Sequence, residues 1–550
     1  MEKRLILAIV LSFLVLLGWN YFFNKPEPAP EAAAVTGSPS TESGGAVRRE
    51  RVRAPGTEAG PASAQPEPAP ELTPVGGAAV RDVVVETPLY KAVWTNKGGV
   101  LKSWTLKSHR GADGHDLELV PALSAELDLF PFMVDLEDLG LADRLNTEVF
   151  EASPAHLSLG DGDSQELRFV YSDGASVRVD KTFRFTGGTY AVEMSVKVWR
   201  NGQSLPASVL WGPGIGNPSP AELKDRFSAA SGAAVYTGGK VARMDEKKYK
   251  PETSAWNFVD WAAYDDNYFV ALFLLPPQKG QAMFLKEMAG QRPVFSLSVT
   301  QPRLAFIGPK ETEALKAFGH EAKRVINFGF FGSVSEILLA AVRYFHSLVP
   351  NWGLAIIILT IVVKLIFFPL TYSSTKSMAR MAELQPKMKA IRAKYKKAKS
   401  DIAQRRQMNE EMMKLYKDHK VNPAGGCLPL LIQLPVFWGV FRMLAVSVEF
   451  RHSPFIFWIQ DLSVKDPYYV TPILMGITQF ISQKMTPTSA DPTQAKMMLI
   501  MPFIMTIFFI TFPSGLVLYW LTTNVLQIAQ QSIMNRMMAR QKRESDGKRK

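Results

Sequence analysis

Lys364 stands near the middle of an apolar run, Trp352–Leu370, and nothing in the later apolar segments offers it a counter-ion. Across 352–372, 427–448, 467–485 and 497–533 the sequence holds no carboxylate, and Asp466 lies just outside the third of these. An ammonium at a helix centre in lipid costs about 2.5–3.5 kcal/mol on insertion scales. An unpaired charge there favours a wetted cavity inside a helix bundle, where it would attract anions and lower their desolvation cost. The competing reading is a lysine on a tilted helix that snorkels to the interface. Covalent chemistry has little to work with. The seven histidines are scattered, and no HExxH, GxSxG or GxxxxGK[ST] pattern occurs. The single cysteine, Cys427, excludes a disulfide within the chain and a thiol-based metal site. No enzyme activity, metal or cofactor is expected.

The elements around Lys364 follow from charge and periodicity. Charge is sparse in several long runs and dense between some of them, the pattern of a polytopic α-helical membrane protein with soluble parts. Residues 1–23 carry Lys3 and Arg4 ahead of nineteen mostly apolar residues, Leu5–Phe23, ending in aromatics suited to an interface. This reads as an uncleaved anchor with a cytoplasmic N-terminus; a cleaved signal peptide is the alternative. Residues 24–80 are rich in Pro, Ala, Gly, Ser and Glu and read as a disordered tether. Residues 81–330 turn to β texture. In Val177–Phe185 and Tyr190–Val198 apolar and polar residues alternate around Gly187-Gly188, which predicts a hairpin with one buried face. The whole reads as a large extracytoplasmic antiparallel β-sandwich. Its tryptophans could stack on sugars, but core packing is the commoner use.

Residues 333–348 have apolar spacing with Glu336, Arg343 and His346 interspersed, predicting an interfacial amphipathic helix before a second span at 350–372. Lys376–Lys420 carries fourteen Lys/Arg against five Asp/Glu, so residues 373–421 are expected on the cytoplasmic side. Two apolar stripes there predict a basic helical hairpin. Met378, Met381, Met388, Met408 and Met412 read either as its seam or as an adaptable surface for apolar clients. Further spans are expected at 427–448, 467–485, 495–512 and 514–533, then a basic tail at 534–550. The turn Phe512–Gly515 predicts that the runs on either side are antiparallel neighbours. The run before it, Met497–Phe512, is sixteen residues, about 24 Å, short of a hydrocarbon core of about 30 Å. Arg442 reads as snorkelling outward, toward Glu449.

Asn422–Pro435 (NPAGGCLPLLIQLP), Asp466–Gly476 (DPYYVTPILMG) and Phe512–Tyr519 (FPSGLVLY) resemble the core motifs of the YidC membrane-protein insertases. The likeness is close over about 352–531, and the anchor, tether and outer β-domain resemble the long Gram-negative form. It implies a five-helix core plus an anchor helix in the bacterial inner membrane, a supersandwich-like periplasmic domain, and both termini cytoplasmic. It also implies a groove open to cytoplasm and lipid along which nascent membrane segments enter the bilayer without ATP. Lys364 stands where the family has a groove arginine, Thr360 matches a groove threonine and Gln433 a glutamine of the third span. Tyr519 matches the first of two aromatic positions, and Trp520 replaces a second tyrosine. The implied partners are nascent membrane proteins, the Sec translocon, the ribosome with the signal-recognition pathway, and membrane lipids. The tail residues Arg540, Lys542 and Arg543 are candidates for ribosome contact, beside a plain topology signal. No small-molecule substrate is expected. The rival class is a transporter or channel for an anionic solute or lipid using Lys364 as its binding charge; the inverted repeats that would favour it are not seen.

Overall fold

The computed structural model describes residues 72–111, 114–218, 231–395, 401–419, 428–485 and 492–547, with backbone alone for 252, 428–431, 492–498 and 541–547. The expected anchor and the tether up to residue 71 lie outside the described residues, as does Cys427. So do the side chains of Lys542 and Arg543.

The outer domain is built on the expected hairpin. Strands Val177–Thr186 and Ala191–Arg200 pair antiparallel, Val192 opposite Phe185 and Val198 opposite Val179. They sit inside a ten-stranded sheet, against which two five-stranded sheets pack. Trp94 of one small sheet meets Phe183 at 4.3 Å between ring centres, and Phe284 of the other meets Tyr264 at 5.7 Å. Trp94, Trp104, Trp211 and Trp261 are fully buried, so they serve the core. Among the described residues one pair departs from the antiparallel pattern: Asp82–Glu86 runs parallel to His156–Ser158.

Strand Val177–Thr186 buries a charge that the alternation hides. Lys181 shares the inward face with Val179 and Phe183 and is fully buried. Its ammonium donates to the carbonyls of Gly98 (2.7 Å), Gly99 (3.2 Å) and Phe132 (2.8 Å). One side chain thus ties the large sheet to a turn of the small sheet and to a third segment. These hydrogen bonds replace part of the water that the charged form loses and lower the cost of burying it.

After short helices within the strand domain, the helical half begins with α1 (Gly332–Leu348). It is amphipathic, with Leu338, Leu339 and Val342 buried and Ile337, Tyr344 and Leu348 exposed. Asn351 caps α2 (Trp352–Glu383) by accepting from the Leu354 amide. Among the described residues α2 alone is long and apolar enough to cross a membrane by length and composition; Ile432–Val446 and Leu499–Phe509 are shorter apolar stretches. No break falls at the expected boundary after Tyr372. α2 runs on through Pro369 to Glu383, and the hairpin's first arm is its end plus α3 (Gln385–Lys394). The second arm is α4 (Ile402–Asp418), capped by Asp401. Next come α5 (Leu428–Val446), α6 (Val470–Met485), α7 (Pro492–Phe509) and α8 (Ser514–Gly547).

Two expectations are corrected. α7 starts earlier than read and ends at Phe509, and its long neighbour is α6, which packs against both α7 and α8. The cause is a small-residue approach: a methyl group on Gly476 would overlap the Thr506 hydroxyl. At eighteen residues α7 still spans only about 27 Å. Arg442 does not reach toward Glu449. Its guanidinium donates to the Asn327 carbonyl, while Glu449 pairs with Arg343 of α1. Both contacts clamp the strand domain's C-terminal end to the helices, since Arg343 also donates to Thr312 at 3.0 Å.

Burial pushes the Lys181 ammonium down to about 7 from the usual 10.5. Between those values the unfolded chain holds a proton that the folded chain has released, so stability rises with pH across that window. Thermal unfolding of the purified chain, wild type against Lys181→Met, should show the wild type gaining on the variant from pH 7 to 9.5. The slope should approach at most about 1.4 kcal/mol per pH unit. Parallel pH profiles would show that Lys181 titrates alike in both states.

Candidate functional site

α8 begins apolar and becomes polar and then basic toward its end, and it carries a series of uncharged polar residues. Tyr519, Thr523, Gln527, Gln531 and Asn535 recur at every fourth position. Four residues are just over one helical turn, so these side chains form a row about 24 Å long at 1.5 Å per residue that winds about 160° around α8 between Tyr519 and Asn535. Three helices supply partners for α8. Lys364 of α2 donates from Nζ to Oε1 of Gln527 at 3.1 Å. Gln433 of α5 donates from Nε2 to the Tyr519 hydroxyl at 2.6 Å. From the adjoining face, Asn524 donates to the Met475 carbonyl of α6 at 3.1 Å, and Trp520 to Gln479 Oε1 at 3.2 Å.

Several local features hold α8 at this depth. Ser514 donates its amide to the Val464 carbonyl (2.7 Å) and its hydroxyl to the Asp461 carbonyl (2.9 Å). The Gly515 amide donates to Leu462, whose carbonyl oxygen would lie 3.1 Å from a Cβ at that position. Asp466, the carboxylate noted outside the third apolar run, is buried and organises the entry to α6. It accepts from the amides of Tyr468 and Thr471, from the Thr471 hydroxyl and from Trp458 Nε1. It is therefore spent on the loop.

The row has two unlike ends. At the Tyr519 end, Phe437, Phe509 and Trp520 pack together, with ring centres 5.1 and 5.2 Å from Trp520, and Tyr519 itself is fully buried. At the other end the helix continues into Arg536 and Arg540, both exposed. Lys364 lies between, half-buried, on α2. Outward from it α2 presents Leu365 and Ile366, each about two-thirds exposed, as a face suited to lipid. Among the described residues Lys364 meets no carboxylate.

The residues expected from sequence fall into distinct places. Lys364 and Gln433 each bond to α8's row, of which Tyr519 is a member. Thr360 is buried one turn before Lys364, its hydroxyl returned to the Ile356 carbonyl at 2.7 Å. Trp520 is an interhelix wedge, half-buried among α5, α6 and α7. In the hairpin, Leu384, Met388 and Tyr416 are buried together, with Met381 and Met412 against them, so these methionines occupy the seam. Met378 and Met408 remain partly exposed outside it. Thr523, Gln527, Gln531 and Asn535 were missed, although their fourfold spacing is readable in the sequence.

Comparison with known proteins covers nearly the whole chain. The YidC periplasmic domain family matches residues 82–341, and the 60Kd inner membrane protein family matches 344–542. The membrane protein insertase YidC of Geotalea daltonii is 38% identical, the alignment covering 98% of this chain and 100% of that one. That of Geobacter metallireducens is 36% identical, covering 98% and 99%. A crystal structure of an active YidC insertase with its first transmembrane domain resolved is 21% identical, with a TM-score of 0.36 over 83% of this chain and 94% of that one.

Proposed function

The chain belongs to the YidC family of membrane protein insertases, and from that premise we propose that the α8 row and Lys364 form the path by which it moves polar client segments into the membrane. The protein is an inner-membrane insertase with a periplasmic domain, acting on newly made membrane proteins. The observation that carries the proposal is the Lys364 ammonium, half-buried, bonded to the neutral amide of Gln527 and with no carboxylate beside it among the described residues. Such a charge is uncompensated and ready for an anion. Of the row, Gln527 is half-buried and Asn535 exposed, and their amides offer hydrogen bonds to a polar segment leaving water, which lowers the penalty of burying it. No covalent step is needed, because an apolar client helix of about 20 residues gains free energy by entering lipid. The short α7 supports local thinning of the bilayer beside the path. The aromatic cluster at the Tyr519 end supports closure on the outer side.

The charge bias of Lys376–Lys420 supports a cytoplasmic hairpin, with both termini on that side and residues 24–350 outside. The protein works alone or beside the Sec translocon. The tail, Arg536–Lys550, with seven Lys/Arg against two acids, supports docking on ribosomal RNA during synthesis. Phosphate contacts of this kind weaken steeply with salt. Truncation after Arg540 removes five of the seven cations and spares the buried Met534. It should weaken co-sedimentation with ribosomes at low salt while the protein stays folded. Undiminished binding would take the role away from the tail.

Lys364 gives the direct test. In proteoliposomes, Lys364→Ala should reduce insertion several-fold for a client whose translocated tail is acidic, and less for one whose tail is neutral. Coulomb attraction in a reduced dielectric acts on the first client alone. Lys364→Arg should keep the preference. Equal losses for both clients would mean that the charge serves hydration or shape.

A further inference from the structure

Lysine is a poor fixed charge. Its ammonium ends a flexible four-carbon stem, and in lipid such a stem extends toward the nearest water. Here the chain sits on a helix face between Val363, which is buried, and Leu365, which is exposed, so a small rotation would carry the ammonium out along the lipid side. Its own helix offers no restraint: the nearest polar neighbour, Thr360, is buried with its hydroxyl bonded to Ile356. What holds Lys364 inward is one contact from another helix, the Gln527 carbonyl at 3.1 Å.

The residue type at 527 matters as much as its position. A glutamine carbonyl accepts one of the three ammonium hydrogens and leaves two for a client carboxylate. It does so without neutralising the charge. A glutamate at the same place would accept the same hydrogen and close an ion pair, cancelling the field at the point where it is needed. The rest of the row keeps to this rule: Tyr519, Thr523, Gln531 and Asn535 are polar and uncharged. Gln531 donates from Nε2 to Asn535 Oδ1 at 3.0 Å, and Gln527 is the member of the row bonded to the cation.

We propose that Gln527 is the positioning and selectivity residue of the path: it holds the Lys364 ammonium inward while leaving it charged, and so sets the preference for acidic client segments. This rests on the reading of Lys364 given above. Gln527 acts through Lys364, so its signature is a change in which clients are favoured rather than a uniform loss.

The test uses the full chain in proteoliposomes with two single-span clients that differ only in an acidic or a basic translocated tail. Gln527→Glu should lower insertion of the acidic client at least fivefold and leave the basic client unchanged or improved. Gln527→Leu should weaken the acidic preference two- to fivefold by releasing the lysine. The exchange Lys364→Gln with Gln527→Lys moves the ammonium to α8 and its holder to α2, and it should restore the preference. If Lys364→Ala is selective while Gln527→Glu and Gln527→Leu lower both clients equally, or neither, Gln527 is only a packing residue and the proposal fails. If Lys364→Ala is itself unselective, the reading of Lys364 falls, and this inference with it.

Discussion

A cation placed within an apolar helix, with no acid beside it, has to be held by neutral dipoles. That constraint organises the helical half of this protein. It requires a polar surface opposite α2, and α8 supplies one at four-residue intervals. It requires α8 to stay in register with α2, which the anchored turn at Ser514 and Gly515 provides. It also requires close helix contact without a hydrophobic driving force, since lipid is as apolar as leucine. Gly476 against Thr506 and Gly439 against Val334 are where such contact is made, because added side-chain atoms would crowd the facing residue. The Lys364–Gln527 bond sits inside a frame rigid enough to give it a fixed place.

The outer domain obeys the same rule in a different solvent. Lys181 is buried among carbonyls, as Lys364 is held by one, and in both cases a dipole does what a counter-ion would otherwise do. The difference lies in saturation. Lys181 has three acceptors and is structurally spent, whereas Lys364 has one and keeps donors free. At the junction the charges are instead paired or bound to backbone: Arg343 with Glu449, and Arg442 with the Asn327 carbonyl. Ser335 of α1 adds a hydrogen bond to the Gly439 carbonyl at 3.1 Å. α1 is thus bonded on both sides, to the end of the strand domain and to α5.

Much of this was legible in the sequence because alternation and charge bias are local signals. The hairpin Val177–Val198 and the amphipathic α1 each follow from a short window of residues, and the isolation of Lys364 from a simple search of the apolar runs for carboxylates. Lys181 was not legible, because a charged residue on an alternating strand reads as an interruption of the buried face. Its three acceptors come from distant segments. Gln527 was passed over because an amide carries no charge to stand out in an apolar run, although its spacing from Tyr519 and Gln531 was visible. The assignment of Glu449 to Arg442 failed because the two are near in sequence, and Arg343, more than a hundred residues away, is nearer in space. The turn at Phe512 misled in the same way: a short loop fixes where a helix starts, and Gly476 decides which helix lies alongside.

The account stands on the Gln527 position of α8 being in water reached from the cytoplasm while the adjoining face of the same helix is in lipid. With Cys427 replaced by serine, single cysteines at 527 and 525 separate these environments, since Val525 is 50% exposed yet lies off the row. In vesicles with the cytoplasmic face outward, a membrane-impermeant maleimide should label Gln527→Cys at least ten times faster than Val525→Cys. Equal rates, or faster labelling at 525, would contradict a wet groove along α8.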